Sequence, residues 1–104
     1  MTSHVVSSPR RAGKSTRYRR TLVRALADIA AALDDEARSR SITIEGAHDR
    51  LVVDEIRRAA GSIRFAATLA LQARMSTRIV EFYVAGGMDY VALVRRADVR
   101  GVIA

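Results

Sequence analysis

The chain has 104 residues, 49% of them apolar, and a formal net charge of +7, which suits one domain with a modest core. It contains no cysteine, which excludes disulfides, thiolate metal sites and cysteine nucleophiles. No apolar run approaches the ~18 residues of a spanning helix, because the richest, Phe65 to Ala73, is bounded by Arg64 and Arg74.

The charge is concentrated at one end. Seven basic residues (Arg10, Arg11, Lys14, Arg17, Arg19, Arg20, Arg24) precede the first acid, Asp28, which leaves 11 basic against 11 acidic residues in the remainder. Residues 1–15 read as a flexible basic arm, and residues 16–104 as a single small globular domain. The N-terminus lacks the apolar stretch of a secretory signal, so a cytoplasmic protein with no membrane association is expected. His4 and His48 lie too far apart in sequence to suggest a metal pair.

The first element predicted is a helix over 16–37. Leu22, Leu26, Ile29 and Leu33 recur at helical spacing, with Arg17, Arg20, Arg24, Asp28 and Asp35 opposite them. Its charges oppose the macrodipole, with arginines in the first turn and Asp34, Asp35 and Glu36 in the last. An antiparallel partner helix would relieve both ends. Pairing with a second copy predicts a homodimer.

After Arg40 the pattern changes. Ile42 and Ile44 alternate with Thr43 and Glu45, GAHD supplies turn residues, and RLVVDE follows, which predicts a β-hairpin. A long helix from Asp49 is the competing reading. Helical spacing then runs from Ile56 through Ala70 to about Arg74. In the last third, IVEFYV and DYVALV flank AGGM, and their β-branched and aromatic residues predict a second hairpin. Two short helices broken at Gly86-Gly87 are the alternative. The fold class expected is therefore α+β, in the order helix, hairpin, helix, hairpin.

Two segments resemble known families. Val5-Val6 followed by SPRRAGKST resembles the strand and Walker A loop of P-loop NTPases, and Leu51-Val52-Val53-Asp54-Glu55 resembles a Walker B strand. The resemblance implies an α/β start, with Gly13, Lys14, Ser15 and Thr16 around the phosphates of ATP and Asp54 holding Mg²⁺. The sequence departs from that pattern at Ser8, where the first glycine of the loop belongs. GMDYVALVRRADVRGVIA resembles the first helix and turn of helix-turn-helix regulators, with Asp98 in place of the turn glycine.

No constellation for nucleophilic or acid–base catalysis is visible. The leading expectation is a small non-enzymatic nucleic-acid-binding protein, without cofactor, that grips the nucleic acid backbone through Arg10, Arg11, Lys14, Arg17, Arg19, Arg20 and Arg24. The alternatives are a reduced P-loop nucleotide-binding protein and a protein–protein adaptor.

Overall fold

A computed structural model describes the backbone of residues 2–103 and the side chains of residues 16–96. Three helices follow one another: α1 (Thr2–Ser41), α2 (Ala47–Leu71) and α3 (Thr77–Ile103). At 1.5 Å per residue a 40-residue helix spans ~60 Å, and α1 accordingly sets the long axis of a body measuring 64 × 22 × 15 Å.

The chain runs up, down and up. Arg19 near the start of the α1 apolar face reaches Ala70 and Thr77, Asp34 pairs with Arg64, and Glu36 pairs with Arg95. Thus α2 is antiparallel to α1 and α3 is parallel to it. The core holds Leu22, Leu26, Ile29 and Leu33 from α1, and Val53, Ile56, Ala60, Ile63, Ala66 and Ala70 from α2. Three buried alanines on α2 let its backbone approach α1 closely. From α3, Val80, Val91 and Val94 are buried, and with Val84 and Gly87 they form one seam at spacings of four, three, four and three.

Gly87 is the close-approach point of that seam. A Cβ there would lie 3.0 Å from Ile29 Cγ2 and 3.4 Å from Ile63 Cδ1, whereas Gly86 faces open space. Both glycines lie inside α3, and neither has positive φ.

These observations correct the α+β expectation, and no strand occurs among the described residues. The first hairpin is replaced by a loop over 42–46 and the start of α2. Asp49 sits in the first turn of α2 and its carboxylate accepts a hydrogen bond from the Glu45 amide at 3.2 Å, a local arrangement that starts a helix. The second hairpin is instead the uninterrupted α3. Its β-branched residues sit at a 3.5-residue period, and burial of that seam outweighs their weak strand preference. The α/β alternative fails equally, because α1 runs through Val5-Val6 and GKST without a strand or a loop. The helix-turn-helix resemblance fails because α3 continues through Asp98.

The predicted helix over 16–37 lies within α1, and its continuation changes the dipole argument. With α1 reaching Ser41, its last turn carries Arg38 and Arg40, which suits the C-terminal end. Arg40 Nη2 also donates to the Val94 carbonyl at 2.7 Å. The antiparallel partner invoked for a homodimer is α2 of the same chain. Asp34 pairs with Arg64, Asp35 with Arg38 and Glu36 with Arg95, so the acids are answered internally and the α1 apolar face is already buried.

Helix α2 ends in a Schellman-type turn. Arg74 N donates to Leu69 O at 2.8 Å and Ala73 N to Ala70 O at 3.1 Å, while Ala73 occupies the left-handed region at φ 55°, a position that favours glycine.

Candidate nucleic-acid interface

The described part of the basic segment splits into two groups of arginines. Arg17, Arg20 and Arg24 are exposed at spacings of three and four, which place them along one side of α1. Among the described residues none of the three has an ion-pair partner. The side chains of Arg10, Arg11 and Lys14 lie outside the described residues.

Arg19 behaves differently. Its guanidinium donates to the carbonyls of Met75 at 2.7 Å and Ala70 at 3.4 Å, and to Thr77 Oγ1 at 3.0 Å. It therefore ties the C-terminal end of α2, where carbonyls lack helical partners, to the start of α3. A cation is also favoured at that end by the macrodipole. The sequence expectation assigned Arg19 to phosphate binding. The structure instead gives it a clamp between helices, and the signal was its spacing of three and seven from Leu22 and Leu26.

Tyr18 belongs to the same joint. Its hydroxyl donates to the Glu81 carboxylate on α3. That hydrogen bond, with desolvation and the negative charge of Glu81, raises the phenol above its ordinary range. Tyr18 is thus engaged at its polar tip while much of its ring stays exposed.

The residues of the Walker resemblance are not brought together. Thr16 lies early in α1, while Asp54 is an exposed residue near the start of α2. Asp34 already pairs with Arg64, and Asp54 lies further along α1 than that pair, so roughly 27 Å of helix or more separates it from Thr16. Gly13, Lys14 and Ser15 have side chains outside the described residues. Among the described residues no group of three His, Asp and Glu side chains is placed to hold a metal, and no helix is long and apolar enough to cross a membrane.

No protein-family model matches this chain, and neither a curated protein nor a solved structure matches it.

Proposed function

We propose that this protein binds nucleic acid through the sugar–phosphate backbone, using the N-terminal half of α1, without reading base sequence. The observation that carries this reading is the exposed set of Arg17, Arg20 and Arg24, which follows Arg10, Arg11 and Lys14 in a stretch with no acid before Asp28. Guanidinium groups on an exposed helix offer bidentate donors to phosphate oxygens. A segment that is acid-free over its first 27 residues repels no phosphate along its length.

Sequence-independent binding follows from the residue types available. Arginine alone can read guanine edges, but reading the other bases calls for side chains such as Asn, Gln, Asp or Glu, and between Arg17 and Arg24 the only uncharged polar residues are Tyr18 and Thr21. The Tyr18 hydroxyl is committed to Glu81 and Thr21 Oγ1 donates to the Arg17 carbonyl at 3.1 Å.

Fluorescence anisotropy with two DNA duplexes of unrelated sequence tests the proposal. Equal affinity for both is expected, with loss of binding when residues 1–15 are removed and Arg17, Arg20 and Arg24 are replaced by alanine. The truncation stops before Tyr18 because Tyr18 and Arg19 hold α3. Absence of binding by the intact chain at low salt, or a preference of about a hundredfold for one duplex, would contradict the proposal.

A further inference from the structure

Helix α3 carries a second apolar seam that the fold leaves partly uncovered. Ile79, Phe82, Tyr83, Gly86, Tyr90 and Leu93 lie beside the buried seam, and of these Tyr83 and Tyr90 pack partly on the core. Phe82 is 76% exposed, and Ile79 and Leu93 are also exposed. Phe82 and Tyr83 meet edge to face, with centroids 6.5 Å apart at 88°. On α2, Phe65 is likewise exposed, at 64%. Cavities of about 180 Å³ beside Phe82 and Gly86 and about 220 Å³ beside Tyr90 and Leu93 open between α3 and the other two helices.

We propose that this face is the contact surface for a second copy of the chain, in an antiparallel pairing of α3 with its counterpart about a two-fold axis at Gly86. The seam's own symmetry selects that occupant. Counted from Gly86, apolar side chains stand at −7 and +7 (Ile79, Leu93) and aromatic ones at −4 and +4 (Phe82, Tyr90), while at the edge Tyr83 at −3 stands opposite Asp89 at +3, a hydroxyl donor opposite a carboxylate. An isologous contact requires such a pattern, because each residue meets its mirror position on the partner. Ile79 then faces the partner's Leu93, and Phe82 faces the partner's Tyr90. The glycine falls where the two backbones come closest, and a Cβ at Gly86 would meet nothing within 4 Å in the isolated chain.

The available surface agrees. Ile79, Phe82 and Leu93 leave on the order of 300 Å² of mostly apolar area exposed. That is more than a third of the ~800 Å² each partner contributes to a standard interface, and the flanking helix surface supplies the rest. The inference stands apart from nucleic-acid binding, although it has a consequence for it. Because α1 runs parallel to α3, the two basic ends would point in opposite directions along the assembly.

Sedimentation equilibrium and cysteine crosslinking of the full chain test the pairing. The wild type should be dimeric at roughly 100 µM, and Phe82→Glu should raise the dimer dissociation constant at least about tenfold with helicity unchanged by circular dichroism, since Phe82 is exposed in the protomer. The chain has no cysteine, so single substitutions report cleanly. Gly86→Cys should form a disulfide-linked dimer on mild oxidation, because the residue meets itself at the axis. Met88→Cys, on the side of α3 facing Asp28 and Ile29, should not. A monomeric wild type at that concentration, a dimer indifferent to Phe82→Glu, or equal crosslinking at both cysteines would overturn the proposal.

Discussion

Replacing Arg19 separates an arginine that holds the fold from those that face solvent. Arg19→Ala removes two well-formed hydrogen bonds, to the Met75 carbonyl at 2.7 Å and Thr77 Oγ1 at 3.0 Å, and a longer one to Ala70 at 3.4 Å. Hydrogen bonds from a charged donor contribute about 1.5–3 kcal/mol each. Partial exposure lets water replace some of this, so a net loss of about 2–3 kcal/mol is expected. For a domain of this size that lowers the melting temperature by on the order of 10 °C or more. Arg20→Ala, one residue along and exposed, should stay within about 0.5 kcal/mol of wild type. Arg19→Lys should fall between them, because an ammonium keeps the charge at the α2 terminus but not the planar fork. Thermal unfolding followed at 222 nm reads all three. If Arg19→Ala unfolds like Arg20→Ala, the clamp does not contribute and the division of the arginines is wrong.

Further outcomes follow from local geometry. Gly61→Ala, in the interior of α2 with nothing within 4 Å of an added Cβ, should stabilise by up to about 1 kcal/mol; Gly87→Val, pressed against Ile29 and Ile63, should instead cost about 1–3 kcal/mol, both by chemical denaturation. Ala73→Gly should stabilise by about 0.5–1 kcal/mol, because residue 73 sits at φ 55°, where a Cβ is strained. The Tyr18 phenol, raised by Glu81, should ionise above its unfolded value in a titration at 295 nm, and Glu81→Gln should bring it back down. The sign is that of a raised folded pKa: the Tyr18–Glu81 contribution to stability is fully present below the unfolded tyrosine range and is lost as pH rises through the folded value.

The helix over 16–37 was legible because one strong apolar period lay between unlike flanks, although neither its start at Thr2, within the stretch read as a flexible arm, nor its end at Ser41 was. The two hairpins were misread for a common reason. Short runs such as IVEFYV satisfy a strand preference locally, while the period that decides the matter, Val80, Val84, Gly87, Val91 and Val94, emerges only across the Gly86-Gly87 pair that reads as a turn. In the same way Ile42 and Ile44 alternate by accident in a loop, where Ile42 is exposed and Ile44 packs on the core. Of the candidate interface, Arg17, Arg20 and Arg24 were placed on the exposed side of the helix by spacing alone. Arg19 was grouped with them because charge was counted without its position relative to Leu22 and Leu26. The ion pairs Asp34–Arg64 and Glu36–Arg95 join residues far apart in the chain, and no local pattern announces them.

The salt dependence of duplex binding addresses phosphate binding by α1 most directly. Each neutralised phosphate contributes about 0.9 to the slope of log affinity against log salt concentration. The intact chain should show a linear decline with a slope reflecting several contacts. Replacing Arg17, Arg20 and Arg24 together by alanine should lower its magnitude by close to three such contacts without altering thermal stability. A slope unchanged by the triple substitution, or an affinity insensitive to salt, would contradict the account.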